Sequence, residues 1–385
     1  MKIVVDNKIP FIRGVFEPYA EVVYLPGRET TPEVVKDADA IVTRTRTRCN
    51  ADLLEGSSVK VIATATIGFD HIDTAWCESH GIIWRNAPGC NSWSVKQYIS
   101  SALVTLARRH SLGLSGMTLG VVGVGNVGSK VAEAARILGM DVLLNDPPRA
   151  RREGPEGFVS LGELISRSDI ITLHVPLEKD GPDATVHLFD EATIASMGTG
   201  RILINSSRGP VVDNAALKDA LKAGRLKAAV LDVWEGEPDL DPELVGLLDL
   251  STPHIAGYSA DGKANGTTAS VRTVAAVLGI DELREWSATG VPDPAQALEF
   301  SICTDGRTRQ QILTEAILHT YDIQGDSDAL RSRLDAFEAL RGDYPVRREP
   351  TAFTVRLSGT GHEDASAALE ALGFHIIDNR QSTKQ

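Results

Sequence analysis

The sequence predicts an α/β protein: two parallel-sheet units joined by a long helix, followed by a smaller third α/β unit. Three observations carry that prediction. Short apolar runs alternate with helix-like stretches over the first ninety or so residues, a second alternating block follows a glycine-rich turn at 123–128, and past Asp281 proline and turn formers replace the alternation. Strands regularly separated by helices form parallel sheets covered on both faces. At 385 residues the chain is also too long for one ordinary core.

In the first block KIVVD, EVVYLP, AIVTR, KVIATAT and IIWRN read as strands. TPEVVKD reads as a helix, with Thr31 placed to cap it and Pro32 in its first turn. The amphipathic stretch from Ser94 to Arg109 is the connecting helix. The second block offers the strands LGVVG, DVLLND, DIITLH, RILINS and AAVLDV, with helices from Gly128 and Asn214, and closes near STPHIAGYS. EWSATGVPDPAQ leads into the third unit, where ILTEAILHTYDI, DALRSRLDAFEALR and EDASAALEALGF read as helices and FTVRLS and HIID as strands. Leu330, Leu334, Phe337 and Leu340 would share one face of the second of these helices.

A net charge of −13 argues against nucleic acid or an anionic membrane as a partner, since both reward a basic surface. A small anion in a local basic pocket is compatible with it. The four cysteines, Cys49, Cys77, Cys90 and Cys303, form no metal-type or disulfide-type spacing and read as reduced thiols, with no metal site expected. The apolar run at the N-terminus is too short for a signal peptide, and no stretch approaches the ~20 residues of a membrane span. A cytoplasmic protein is expected.

Gly123-Val-Gly125-Asn-Val-Gly128 fits G-x-G-x-x-G, a pattern that means little alone. Here an apolar strand runs into it, a helix-like stretch runs out, and the next strand ends on Asp146, eighteen residues past Gly128. The first glycine permits the tight turn, the second admits a pyrophosphate to the backbone, and the third allows close helix-to-strand packing. The pyrophosphate would sit on the helix N-terminus. Asp146 would accept from the adenosine ribose and repel a 2′-phosphate, which favours NAD over NADP; Arg149 is the one neighbour that softens this preference.

Arg208 follows one apolar strand, and Glu237 and His254 follow another that ends near Val233. In a parallel sheet those positions lie at the carboxyl edge, where ligands bind. Hydride removal from an alcohol carbon needs a base for the hydroxyl proton, and histidine titrates in the right range, so His254 is the candidate. Glu237 would hold the imidazole tautomer and favour its protonated form. Arg208 presents a planar fork suited to a carboxylate.

Through GVGNVG with Asp146, SSRGPVVDNAAL, LDVWEGEP and TPHIAG, the chain resembles the D-isomer-specific 2-hydroxyacid dehydrogenases. The resemblance implies a flavodoxin-like substrate domain (1–93 with 259–285), a Rossmann NAD domain (94–258) and a small C-terminal α/β dimerisation domain (286–385), assembled as a homodimer. It implies Arg208, Glu237 and His254 as the catalytic set, acting on a small phosphorylated hydroxy acid. For NAD it adds Asn126, Val127, Val175, Ser206, Ser207, Asp232 and Gly257 to the three glycines, Asp146 and Arg208. For substrate it implies Arg44, Thr45, Arg46, Thr66, Ile67, Gly68 and Tyr258. Two positions depart from the family pattern: Thr45, where serine is usual, and Phe69, where a smaller polar residue is usual. An NAD-responsive interaction protein, such as a corepressor on the same fold, is the alternative from another class.

The run VTRTRTRC would set Arg44, Arg46 and Arg48 on one side if its strand persisted, as an exposed basic edge. Alternatively, by the resemblance, Arg44, Thr45 and Arg46 end a strand and hold the substrate phosphate, with Arg48 left to solvent or the next helix. His71 in FDHID stands beside acids, yet a helix-start turn suits it better than a metal. Arg347 and Arg348 in PVRRE read as a solvated basic turn, with contact to a phosphate across a subunit boundary as the other use.

Overall fold

The structure, a computed structural model, describes residues 1–361 and 363–378. It divides into two compact units, Met1–Asn91 with Tyr258–Pro292, and Ser92–Gly257 with Asp293–Gln385.

The first unit holds five parallel strands, β1 (Lys2–Asp6), β2 (Glu21–Leu25), β3 (Ala40–Thr43), β4 (Val61–Thr64) and β5 (Ile83–Arg85), in the order β2-β1-β3-β4-β5. This is the flavodoxin-like order, and the chain reverses direction across the sheet between β1 and β3. Alternate residues feed two cores. Ile3, Val5, Ala40, Val42, Val61 and Ala63 pack with Val271, Val274 and Ala275 of the helix Ala260–Leu278. Val4, Ile41 and Ile62 pack on the other face with Val35, Leu53 and Leu54. A chain segment far along the sequence thus completes the first unit. Ser259 caps its helix by accepting from Gly262 N at 2.8 Å, and a Cβ on Gly266 would lie 2.3 Å from Ala65 O, so the helix lies against the end of β4.

Thr31 does not cap the short helix Pro32–Val35 by its side chain, contrary to the expectation from sequence. The arginine run is not strand either: β3 ends at Thr43, and Arg44 to Arg48 form an irregular turn that begins at the sheet's carboxyl edge.

The second unit opens with the helix Ser92–His110. Its main sheet contains β6 (Thr118–Val122), β7 (Asp141–Asn145), β8 (Ile170–Leu173), β9 (Arg201–Asn205), β10 (Leu226–Leu231) and β11 (Leu250–Ser251), in the order β11-β10-β9-β8-β6-β7. Beyond β7, Val159 donates its N–H to Leu144 O at 2.8 Å and its carbonyl accepts from Asn145 Nδ2 at 2.8 Å. That one-residue pairing occupies the place where a Rossmann sheet carries its third strand.

A three-stranded parallel sheet, β12 (Glu299–Cys303), β13 (Thr354–Ser358) and β14 (His375–Asp378), closes the second unit with the helices Arg309–Thr320 and Glu363–Leu372. The single helix expected over 328–341 is broken. Ile323–Ser332 ends at Arg333, whose φ of −148° and ψ of 68° leave the helical region, and Phe337–Gly342 resumes after a 3₁₀ turn. Its apolar residues still meet one core: Leu330 and Phe337 are buried, and Leu334 and Leu340 pack on the same cluster as Ile171, Leu203 and Leu231 of the main sheet. The C-terminal stretch therefore shares a core with the sheet it follows.

Candidate active site

At the end of β6 the glycines divide their work as the motif requires. Gly123 has φ +85°, and a Cβ there would lie 2.7 Å from the His174 backbone. A Cβ on Gly128 would lie 1.9 Å from Gly123 O, so the helix Asn126–Ile137 can start this close to the strand only with glycine. Gly125, between them, faces open space. Two close approaches and one open position describe a cradle for a group that must reach backbone N–H.

Asp146 sits past the end of β7 and accepts from Val124 N at 2.8 Å and Arg149 N at 3.0 Å, which fixes its carboxylate at the rim of the glycine turn. Arg149 is engaged by Glu153 at 2.7–3.1 Å and donates to Val124 O. Its pairing, first with Arg149 and then Arg152, holds the Glu153 carboxyl down at about 2. The Arg149 guanidinium is thus committed within the protein, which strengthens the preference for NAD. Val175 packs beside Gly123, and Ser206 Oγ is buried with no hydrogen-bond partner among the described residues. An orphaned hydroxyl and an open glycine fit a dinucleotide.

The loop after β9 is shaped by Asn205, which sequence reasoning missed. Its Oδ1 accepts from Ser207 N (3.0 Å) and Oγ (2.8 Å), and its Nδ2 donates to Arg208 O at 2.9 Å. Arg208 Nη1 in turn donates to Ser207 O at 2.9 Å. Gly209 brings this loop onto the next one: a Cβ there would lie 2.0 Å from Trp234 O.

Trp234 N donates to Glu237 Oε1 at 2.9 Å, and Glu237 Oε2 meets His254 Nδ1 at 2.8 Å. Arg208, Glu237 and His254 are therefore brought to one stretch of the sheet's carboxyl edge. Burial presses the Glu237 carboxyl upward, but the His254 hydrogen bond and charge and the Trp234 N–H together hold it below the usual range. An ionised Glu237 accepts a hydrogen bond from Nδ1–H, leaving the neutral ring's lone pair on Nε2.

Asp232 is 1% exposed. Its Oδ1 accepts from Thr252 Oγ1 (2.6 Å) and Ile255 N (2.8 Å), and its Oδ2 from Ala256 N (2.9 Å). Expected beside the nicotinamide, Asp232 spends its carboxylate on bracing the histidine loop. His254 N also donates to Asp232 O at 2.7 Å, and His254 has φ +57°, a left-handed backbone for a non-glycine residue. Gly257, half-buried, ends this loop.

In the first unit, Arg44, Thr45 and Arg46 follow β3 beside the point where the sheet order reverses, the crevice position for ligands in open α/β sheets. Thr45 and Arg46 are exposed, and Arg44 reaches Lys8 O at 3.5 Å. Thr64 Oγ1 donates to Arg44 O at 2.9 Å and lies 2.8 Å from Thr66 Oγ1, which donates to Gly68 O at 2.9 Å. Asn86 Nδ2 holds Ile67 O at 2.7 Å. The turns after β3 and β4 are thereby tied together. Phe69, 42% exposed, leans on Trp84 with ring centroids 5.0 Å apart. Tyr258 lies under Lys263 Nζ, 5.0 Å from its ring centroid.

The reading of Arg347 and Arg348 as a solvated basic turn is corrected. Arg347 is no solvated turn residue: it is 4% exposed, and its guanidinium donates to backbone carbonyls. Arg348 is also largely shielded and lies 3.7 Å from Asp293. His71 precedes Asp73, the cap of the helix Thr74–Ser79, and no cluster of metal-ligating side chains occurs among the described residues. All four cysteines are free, and no described helix is long and apolar enough to cross a membrane.

Residues 85–256 match the family model for the D-isomer specific 2-hydroxyacid dehydrogenase NAD binding domain, and residues 294–373 match a domain of unknown function. The chain is 52% identical to an erythronate-4-phosphate dehydrogenase of Bacteroides fragilis over 92% of its own length and 99% of the relative's. The chain belongs to the D-isomer specific 2-hydroxyacid dehydrogenases. An erythronate-4-phosphate dehydrogenase of Proteus mirabilis is 43% identical, covering 97% of this chain and 99% of that one. Among solved structures of this dehydrogenase fold, the D-lactate dehydrogenase of Aquifex aeolicus complexed with NAD and lactic acid matches with TM-score 0.62 and 27% identity, over 76% of this chain and all of that one. NAD-bound 3-phosphoglycerate dehydrogenase of Entamoeba histolytica matches with TM-score 0.63 and 25% identity, over 76% and 99%. As a member of this family the chain is an NAD-dependent dehydrogenase of a small hydroxy acid, which sets the corepressor alternative aside.

Proposed function

We propose that the protein oxidises 4-phospho-D-erythronate at C2, giving (R)-3-hydroxy-2-oxo-4-phosphooxybutanoate and NADH, as a step of pyridoxal 5′-phosphate (vitamin B6) biosynthesis. The hydrogen-bonded Glu237–His254 pair on the sheet edge that bears Arg208 carries the reaction class. The substrate rests on the named relatives and on the arginine turn after β3.

NAD, when bound in the glycine cradle, supplies the acceptor for the hydride leaving C2. His254 Nε2 takes the C2 hydroxyl proton, and Glu237 stabilises the imidazolium that results. Arg208 holds the substrate carboxylate and C2 oxygen through its fork of N–H donors. Arg44, Thr45 and Arg46 bind the phosphate, while Thr66, Ile67, Gly68 and Tyr258 address the carboxylate end. We also carry forward, on the family resemblance alone, a cytoplasmic homodimer formed through residues 286–385. Sedimentation equilibrium giving the mass of one 41.3 kDa chain would refute the dimer.

The test of the substrate is NADH absorbance with purified protein and three acids: 4-phosphoerythronate, 3-phosphoglycerate and an unphosphorylated hydroxy acid. The phosphoerythronate should have the highest kcat/KM. Turnover of phosphoglycerate alone would refute the substrate assignment while leaving the reaction class intact.

A further inference from the structure

We propose that Arg347 is a positioning residue for His254, fixing the two peptide groups that follow the histidine. The inference rests on the reading of His254 as the base.

Arg347 Nη2 donates to Ala256 O at 2.6 Å and to Ile255 O at 3.2 Å. The N–H groups of those same two residues donate to Asp232 at 2.8 and 2.9 Å. Two successive residues are thus gripped by opposite charges, a carboxylate on their donors and a guanidinium on their acceptors. Immediately before them stands His254, with its left-handed backbone and its ring on Glu237. A non-glycine residue keeps such a conformation only where its surroundings over-determine it, and this paired grip supplies the constraint.

The arginine is itself held firmly. Its guanidinium carbon lies 4.4 Å from the Tyr321 ring centroid and 5.7 Å from that of Tyr344, and Nη1 donates to the Tyr344 hydroxyl at 3.4 Å. Both tyrosines donate to Asp326 Oδ2, at 2.9 and 2.7 Å. The chain around Arg347 is pinned by the first helix of the unit: Gln97 Nε2 donates to Arg348 O and Ser94 Oγ to Glu349 Oε1, each at 2.9 Å. A buried guanidinium is expensive, and an apolar side chain of similar volume usually packs the same space at lower cost. Packing alone therefore does not account for an arginine here, whereas two carbonyls facing one multi-donor cation do. Through it the C-terminal stretch, which carries no catalytic motif, governs the placement of the proton acceptor.

The test is a double-mutant cycle in the full-length enzyme with Arg347→Met and His254→Ala, reading kcat, KM, NAD dissociation constant and thermal midpoint. Displacing a reacting group by about 1 Å costs on the order of a hundredfold, so Arg347→Met should lower kcat about 10- to 100-fold. NAD affinity should stay within about twofold, and Arg347→Gln, which keeps one donor group, should fall between Met and wild type. In the His254→Ala background Arg347→Met should change kcat by less than about twofold, because the group it positions is gone. Unchanged kcat in folded Arg347→Met, or equal losses in both backgrounds, would overturn the proposal. If Arg347→Met does not fold, Arg347→Gln is read through the same cycle by the same criteria. Wild-type kcat in His254→Ala alone would instead overturn the reading of His254 as base, a separate and recognisable failure.

Discussion

At the residue scale the account turns on which nitrogen of His254 is left for chemistry. Glu237 occupies Nδ1, which leaves Nε2 for the proton transfer proposed above, and on that proposal His254→Ala should lower kcat by about 10²- to 10⁴-fold, the range for general acid–base groups. Equilibrium titration should find NAD affinity nearly unchanged, since the glycine cradle and Asp146 are untouched. Arg46 is the second residue with a sharp expectation. Charge-assisted hydrogen bonds contribute roughly 1.5–3 kcal/mol, so Arg46→Ala should raise KM for the phosphorylated substrate about 10- to 100-fold and barely alter that of an unphosphorylated analogue. Equal losses on both would remove Arg46 from phosphate binding. The placement of Arg208, Glu237 and His254 at the sheet's carboxyl edge was legible in sequence because each follows an apolar strand in a parallel pattern. Arg347 was not: Tyr321, Tyr344 and the 255–256 carbonyls that surround it come from separate elements, and the local string PVRRE looks solvated. Asn205 was equally hidden, its task being hydrogen bonds to the backbone of the next loop.

At the element scale, close backbone approaches place the catalytic loops. Gly209 lets the Arg208 loop lie on Trp234, whose own N–H holds Glu237. Gly209→Ala should therefore cost about 1–3 kcal/mol of stability, as overpacking does, measured by urea unfolding, and should lower kcat together with it. An unchanged midpoint and rate would mean that the loops separate freely. Strands β1 to β10 could be read from their apolar runs, as could the two helices that follow Gly125 and Asp213, whereas β11, two residues long, has no run of its own to show it. The break at Arg333 could not, because the segment has no proline or glycine there and its apolar spacing continues through the interruption; tertiary packing of Leu330 and Phe337 on one core sets the geometry. Strand β12, EFSIC, is short and half-polar beside a proline-rich connection, and only its pairing with β13 defines it. The end of β3 at Thr43 also escaped the alternation, since the Arg44 carbonyl is taken by the Thr64 hydroxyl.

At the scale of the whole molecule, two half-buried histidines whose rings are shielded from water should make stability depend on pH. Burial lowers His71 to about 4, with Asp70 opposing, and lowers His174 to about 3. The folded chain keeps both rings neutral, whereas the unfolded chain protonates them near pH 6.5. Stability is thus fully present above that value and is lost as the pH falls toward 4, by at most about tenfold in the unfolding equilibrium per pH unit for each ring. Urea midpoints between pH 7 and 5 should show the decline, and His174→Gln, which can retain the bond to Thr172, should flatten it; an equally steep decline in that variant would remove His174 as a source. The central claim concerns the whole enzyme at work, hydride leaving C2 of a phosphorylated hydroxy acid directly for NAD. It is tested most directly with 4-phospho-D-erythronate deuterated at C2, followed by proton NMR of the NADH formed. The account predicts one deuterium at nicotinamide C4 for each turnover; NADH that carries none would contradict it.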